Sequence, residues 1–590
     1  MQADRGEKKR VWAIAILLLL VLTGEGVRLG FLHLGNHSQL KEDTQKKRMY
    51  SQKLLGLRGR IFDCSGDLVP LATSLSAKQF FVDPLDLKKG HDKAFIIDTA
   101  VDALCIPREI VENAFAQTNS RHEKICVSYD NAAIEVMADR KTISGIASED
   151  VILRSYPQGR RMSHVIGILD KDGNGKAGVE YKYDDHLKGA PGLVRGEKDA
   201  RGRRIGYRPK VNIPAIRGND IYLTLNNNIQ FDVEEALKEV VENIHAVSAW
   251  AIVQDVKTGA ILAMATYPDF DPKNYGIAFQ ELWRNHAISS MYEPGSVMKT
   301  ITMASALNER LVTVNTPMDV GYGPFVYAGS TLKNNSAGTI TVAHGFKISN
   351  NVVFAKLGLM LGAQRIETYM KDFGFDSRLG IDLPGEAKGM LDAAKRPWNK
   401  WDKIKPTRVP IGQGVSVTGL QMITAYSAVA NGGKLMRPYV VDRIVSPTTN
   451  GVIFQMSPEV IKTPIRPEVA QIMRETMIDV TEDGTGTKAR VEGYTVAGKT
   501  GTAQCWDNAR KVYSTTEFVA SFVGFVPARD PVFSVLVSID RPAPGYARTG
   551  GAVAAPVFSK IATAAARYLL VPPDLPSEQE STWVSVGARR

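Results

Sequence analysis

Cysteine is scarce. The chain of 590 residues has four, Cys64, Cys105, Cys126 and Cys505. That excludes a disulfide framework, and no CxxC or Cys/His spacing suggests a metal site or thioredoxin-like chemistry. An oxidising compartment permits a Cys105–Cys126 bridge, which spacing alone does not establish. A second long apolar run is also missing, so a polytopic membrane protein is excluded. Zinc spacing and aromatic-rich RNA signatures are absent, which argues against nucleic acid as a partner. The excess of 73 Lys and Arg over 62 Asp and Glu, +11 in net charge, fits a modest surplus spread over a large surface. Such a surplus also suits an anionic envelope polymer or lipid surface. With 44% hydrophobic and 23% charged residues, the composition is that of folded domains. The length predicts about two to four of them.

The N-terminus sets the compartment. Arg5, Lys8, Lys9 and Arg10 precede an apolar run from Val11 to Leu22, and apolar character resumes from Val27 to Leu34 around Glu25 and Arg28. The first run alone has the length of a signal-peptide core. No small-x-small cleavage site follows it, so the pattern predicts an uncleaved membrane anchor over 11–34 behind a cytoplasmic tail of 1–10. A cleaved signal peptide is the alternative. Lys41, Lys46, Lys47 and Arg48 lie just beyond and blur the orientation.

Residues 35–220 mix short strand-like runs, charged helical stretches and Gly-rich turns. Arg58-Gly59-Arg60-Ile61-Phe62-Asp63 leads into Ser65-Gly66-Asp67 and a strand-like Leu68-Val69, and Gly178-Val179-Glu180 precedes a predicted helix over Tyr181–Leu187. Arg201-Gly202-Arg203-Arg204 reads as a solvated loop. From 221 the character changes. A helix is predicted over Gln230–Ile244, strands over Ser248–Val256 and Ala260–Ala265, further strands over Tyr494–Gly498, Phe518–Val526 and Val532–Ile539, and a closing helix over Ala554–Leu570. Strands at both ends of 221–571, with a helix-rich insertion between, predict a mixed α/β domain: one antiparallel sheet flanked by helices. The Pro- and Ser-rich tail over 572–590 is expected to be disordered.

Within this domain Tyr292-Glu293-Pro294-Gly295-Ser296-Val297-Met298-Lys299 runs into an apolar helix. Pro-Gly is expected to place Ser296 in the first helical turn, where free N–H groups favour a developing anion. Lys299, three residues on, lies on the same face. A desolvated lysine with a lowered pKa activates a serine without histidine. Ser-x-x-Lys alone is weak: Ser330-Thr331-Leu332-Lys333 matches too, in a Gly- and Asn-rich stretch. Likewise Lys257-Thr258-Gly259, a predicted hairpin turn, duplicates Lys499-Thr500-Gly501, which is followed by Thr502. Order separates motif from decoy. Ser296 and Lys299, then Ser349-Asn350-Asn351, then Lys499-Thr500-Gly501-Thr502 follow the succession of penicillin-binding proteins and class A β-lactamases, with Asn350 where Asp is common.

The resemblance covers about residues 45–570. The 58–63 block and Gly178-Val179-Glu180 resemble the pedestal motifs of class B penicillin-binding proteins, with Cys64 departing from the usual Arg. Val409-Pro410-Ile411-Gly412-Gln413-Gly414, Gly484-Thr485-Gly486 and the 550–558 block also look like family segments. Tyr292-Glu293-Pro294-Gly295 and the Val553-Ala554-Ala555-Pro556 ending resemble the division-specific (septal) branch. The resemblance implies a pedestal of the dimerisation type over 35–220 and a transpeptidase domain over 221–571.

It further implies a serine D,D-transpeptidase that uses no cofactor or metal, outside the bacterial cytoplasmic membrane. Ser296 attacks D-Ala–D-Ala of a peptidoglycan stem peptide and Lys299 takes its proton. Ser349 relays a proton to the leaving group under the influence of Lys499, and Asn351 holds the substrate amide and Lys299. Thr500 and Thr502 bind the terminal carboxylate, Gly501 leaves room for substrate, and the N–H groups of Ser296 and Thr502 form the oxyanion hole. β-Lactams are inhibitors. A membrane-embedded glycosyltransferase and other divisome proteins are the implied partners. The rivals are an elongation-type transpeptidase, a D,D-carboxypeptidase or β-lactam-sensing protein, and a divisome scaffold.

Overall fold

The leucine-rich N-terminus, free of proline, forms a helix over Ala3–Gly30 that continues as a π-helical turn over Phe31–Gly35. Within it, Gly6–His33 is the one span among the described residues long and apolar enough to cross a membrane. The computed structural model describes residues 3–35, 41–42, 48–66, 69–87, 91–117, 119–120, 122–139, 143–199, 204–205, 211–274, 276, 280–392, 395–507 and 509–576. Asp67, Leu68, the Arg201-Gly202-Arg203 part of the expected loop and positions 577–590 of the expected disordered tail lie outside them.

The chain forms two compact units, 1–57 with 189–217, and 58–188 with 218–590. The first contains a small antiparallel sheet in which Gly192–Lys198 pairs with Met49–Leu54, Arg204–Ile205 and Val211–Ile213. The second holds two larger sheets. In the seven-stranded one, Asp220–Leu223 lies parallel to Ile61–Phe62 on one side and antiparallel to Val441–Val445 on the other. This sheet runs through the boundary expected at 220, because backbone ladders tie the 58–188 segment to strands far along the chain. Three short helices, Lys93–Leu104, Arg108–Ala116 and Asn131–Ala138, bury Ile96, Val111, Phe115 and Met137 in a separate core with strand residues Phe80 and Val82.

The five-stranded sheet runs in the order Ile261–Tyr267, Ser248–Asp255, Phe533–Asp540, Val512–Val526, Ala497–Asp507, antiparallel throughout. Its strands read as unbroken apolar runs because both faces are covered. Ala249, Ala251 and Val253 pack under helices Asn227–Ile244 and Gly550–Tyr568; Trp250 and Ile252, one residue out of phase, join the core of the helical insertion. The mixed α/β architecture is the one expected. Two details differ. The strand carrying Lys499 continues to Asp507 instead of ending at Gly498, since Val512–Val526 pairs with it almost throughout. The helix expected over Tyr181–Leu187 is two short pieces broken at Tyr183, whose hydroxyl donates to Asp382 Oδ2 at 2.9 Å. Cys105 and Cys126 are free thiols, so the permitted bridge is not formed.

The 58–63 block is held by charge. Arg58 Nε donates to Glu180 Oε2 at 2.6 Å and its Nη1 to Asp184 Oδ1 at 2.5 Å; Arg154 Nε donates to Glu180 Oε1 at 2.7 Å. Glu180 is fully buried, so each oxygen meets a guanidinium. Glu180→Ala strips Arg154 of its carboxylate and Arg58 of one of two, and is expected to cost about 3–5 kcal/mol. Urea unfolding checks this, and a midpoint equal to that of the wild type would show that the cluster is dispensable.

Candidate active site

Ser296 sits in a 3₁₀ turn, Gly295–Met298, and the α-helix proper begins at Lys299 and ends at Asn308. The serine therefore precedes the helix instead of opening it, as the sequence suggested. The turn is gripped from two sides. Gly295 has φ +57° and donates its N–H to the Gly412 carbonyl at 3.1 Å. Gly412 approaches so closely that a Cβ there would fall 2.1 Å from the Gly295 oxygen. From below, the buried Tyr426 hydroxyl donates to the Val297 carbonyl at 2.8 Å and lies 2.7 Å from Thr300 Oγ1. Sequence offered no signal for Tyr426, an unremarkable position in an apolar helix.

Lys299 and Lys499 are both fully buried. Lys299 Nζ donates to the Ser349 carbonyl at 2.7 Å, to Ser349 Oγ at 3.1 Å and to Asn351 Oδ1 at 2.7 Å. It also lies 5.6 Å from the ring centre of Phe354, and Lys499 Nζ lies 5.8 Å from that of Phe346. Burial, then the neighbouring charge of Lys499, holds the Lys299 amine well below its ordinary 10.5. Burial brings Lys499 down to about 7.

Ser349 adopts φ +58°, unusual for a residue with a side chain. Asn350 explains how it is held. Its Oδ1 accepts from the N–H groups of Val352 and Val353 as the N-cap of the Asn351–Asp372 helix. Its Nδ2 donates to Asn334 Oδ1 at 2.9 Å and Asn335 Oδ1 at 2.7 Å, and Asn335 in turn donates to the Ile348 carbonyl. An aspartate offers no donors to those two oxygens. The Asn334-Asn335 pair, with no recognisable motif, thus accounts for the amide at 350.

On the facing strand, Thr500 Oγ1 lies 2.8 Å from Thr485 Oγ1, and Thr502 Oγ1 accepts from the Gly550 N–H at 3.1 Å. A Cβ at Gly501 would first meet the Pro294 carbonyl, at 2.9 Å, and Val297 Cγ1, at 3.0 Å. The glycine is thus needed by the serine turn itself, a different reason from room for substrate. The decoys separate cleanly: Ser330 lies in a hairpin strand with its hydroxyl on Arg408, and Lys257 is exposed in its turn, 3.7 Å from Asp530. Among the described residues, no group of three or more His, Cys, Asp or Glu is placed to hold a metal ion.

Residues 249–563 match the family model described as the penicillin-binding protein transpeptidase domain, and 53–223 match the penicillin-binding protein dimerisation domain. Stage V sporulation protein D of Bacillus subtilis is 32% identical over 564 residues, covering 94% of this chain and 85% of that protein. A probable peptidoglycan D,D-transpeptidase, PenA of Neisseria gonorrhoeae, is 31% identical over 552 residues, covering 92% and 90%. Penicillin-binding protein 3 of Mycobacterium tuberculosis, solved with aztreonam, superposes with a TM-score of 0.67 at 26% identity, covering 89% of this chain and all of that one. Fold and family together define a D,D-transpeptidase of the serine acyltransferase class. The chain belongs to the class B penicillin-binding proteins.

Asn350→Asp is expected to destabilise the protein by about 1–3 kcal/mol at pH 7. The loss should shrink at pH 5, where a buried Asp begins to regain a proton and one donor. Urea unfolding at both pH values checks this; an equal loss at both would mean the donors to Asn334 and Asn335 do not matter.

Proposed function

We propose that this chain cross-links peptidoglycan stem peptides outside the cytoplasmic membrane through an acyl-enzyme on Ser296. The observation that carries the reading is a fully buried Lys299, three residues from Ser296, with its amine held by Ser349 and Asn351 and its proton affinity suppressed. Protonated, Lys299 commits three N–H groups to Ser349 and Asn351. Once neutral it has a lone pair to accept the Ser296 proton.

Ser296 Oγ then attacks the carbonyl of the penultimate D-Ala, and the oxyanion is held by the N–H groups of Ser296 and Thr502. The C–N bond breaks as Ser349 passes a proton to the departing D-Ala nitrogen, with Lys499 setting the local field. Asn351 orients Lys299 and the substrate amide. Thr502 and Thr500, the latter through the hydroxyl pair with Thr485, bind the terminal carboxylate beside Lys499. An amine from a second stem peptide attacks the ester carbonyl, returns a proton to the site and frees Ser296. β-Lactams mimic the dipeptide and stop after acylation.

In this reading the Gly6–His33 helix is an uncleaved single-pass anchor, residues 35–220 are the pedestal and 221–571 the catalytic domain. The pedestal docks a membrane-embedded glycosyltransferase. The Tyr292-Glu293-Pro294-Gly295 approach and the Ala554-Ala555-Pro556 ending favour the division branch, with midcell localisation among divisome partners.

Ser296→Ala abolishes labelling by a fluorescent penicillin, whereas Ser330→Ala retains it; peptide mapping of the label checks the site, and label on the Ser296→Ala protein would sink the assignment. Lys299→Arg, which stays protonated, lowers the acylation rate by about 10²–10⁴-fold with unchanged circular dichroism. The wild-type rate falls as pH drops and Lys299 takes up a proton, with a midpoint well under 10.5. A rate independent of pH would remove Lys299 as the base. Depletion gives filamentous cells with arrested septa; rounded cells that continue to divide would assign the chain to elongation instead.

A further inference from the structure

Ser296 and Lys299 are joined by a turn wound more tightly than the helix it leads into. The Lys299 N–H donates to the carbonyls of Ser296 and Val297, three and two residues back. Three residues per turn bring the side chains at i and i+3 into line, whereas an α-helix leaves them about 60° apart. The winding matters because the Lys299 amine is held from its other side. It donates to the Ser349 carbonyl at 2.7 Å, to Ser349 Oγ at 3.1 Å and to Asn351 Oδ1 at 2.7 Å. Alignment of the pair therefore rests on the backbone between them.

One hydroxyl holds that backbone. Tyr426 Oη donates to the Val297 carbonyl at 2.8 Å, so its only proton is committed. Thr300 Oγ1, at 2.7 Å, is then the donor to the Tyr426 oxygen. The tyrosine thus touches the residue after the serine and the residue after the lysine, bracketing the pair. A carbonyl drawn outward by an outside donor lengthens its own helical hydrogen bond, which favours the tighter winding here. Tyr426, Val297 and Thr300 are fully buried, so bulk water does not replace the hydroxyl. Its support is rigid. Every residue of the Gly419–Ala430 helix is buried. Ser427, next to the tyrosine, donates to Gln254 Oε1 at 2.8 Å and lies 3.0 Å from Ser534 Oγ, on two adjoining strands of the five-stranded sheet.

We propose that Tyr426 is a positioning residue for acylation: its hydroxyl, anchored to the sheet, holds the Ser296–Lys299 turn in the winding that lines up serine oxygen and lysine amine. The proposal rests on the transpeptidase reading above. It assigns a rate, not an affinity, to a side chain that touches no reacting atom. Tyr426 acts on the proton transfer from Ser296 to Lys299 and leaves recognition of the ligand carboxylate at Thr500 and Thr502 as it was.

The test follows acylation of the full-length protein by a fluorescent penicillin over a range of concentrations. It separates the limiting first-order rate constant from the non-covalent Kd, and records the fraction of protein labelled and Tm. Two variants are compared with the wild type, Tyr426→Phe and Tyr426→Phe combined with Thr300→Val. The single change removes one oxygen and leaves the Thr300 hydroxyl without its acceptor; the second change removes that stranded donor. Tyr426→Phe is expected to lower the rate constant by about 10–100-fold, with Kd changed by less than about twofold. The double variant is expected to regain part of the lost Tm while its rate constant stays low. A residue that only stabilised the fold would lower the labelled fraction and leave the rate constant of the folded protein alone. A smaller loss in the rate constant, a loss carried by Kd, or a rate constant that recovers with Tm in the double variant overturns the proposal while penicillin still labels Ser296 of the wild type. Absence of label on Ser296 of the wild type overturns the transpeptidase reading, and this one with it.

Discussion

Two amines removed from water govern the catalytic half of this molecule. Lys299 and Lys499 are fully buried, and the causes that shift them are burial and, for Lys299, the other lysine; among the described residues no carboxylate pairs with either. A pair of phenylalanines, Phe346 and Phe354 with rings 6.0 Å apart, presents one face to each amine. Oxygens from the Ser349 loop and Asn351 accept from Lys299. A lysine held this way gives up its proton more readily than one in water. The left-handed Ser349, the Asn350 clamp and the Tyr426 hydrogen bond beneath the serine turn all serve that arrangement, because a wet or mobile amine would recover its usual proton affinity.

The sheet makes the site possible. Ser296 leaves the central domain at the start of a helical insertion, and Lys499 enters at its end. They meet because the strands before the insertion, Ser248–Asp255 and Ile261–Tyr267, pair with those after it. The outermost strand then lies against the serine turn, so close that Gly501 admits no side chain. A parallel logic holds the 58–188 segment to the strands at 220 and 441, with the Glu180 cluster as its polar centre. Its charges are buried and paired, so they fix geometry more than they add stability.

What could be read from the chain alone was whatever depends on order and local pattern. The apolar runs gave the strands to within a few residues, since both faces of the sheet are buried and alternation is suppressed. Ends were less legible: the Lys499 strand runs on to Asp507 because a partner strand supports it, and the helix expected over 181–187 breaks at Tyr183, whose hydroxyl bonds Asp382. The three candidate motifs were separable from the Ser330 and Lys257 decoys by succession and, for Ser330, by the missing helix behind it; in space it is the lysines that differ, Lys299 and Lys499 being buried and Lys333 and Lys257 exposed.

By itself the sequence determined the family, the anchor-like apolar start, the mixed α/β class and the identity of Ser296, Lys299, Ser349, Asn351 and Lys499 as candidates. Local chemistry suffices for these, since motif order, hydrophobic period and glycine placement are written along the chain. Tertiary structure alone decided how far each lysine is removed from water, why residue 350 is an amide and why Gly501 is bare. Those are properties of what surrounds a residue. Asn334 and Asn335, Phe346 and Tyr426 come from separate stretches of chain, and only folding sets them against their partners.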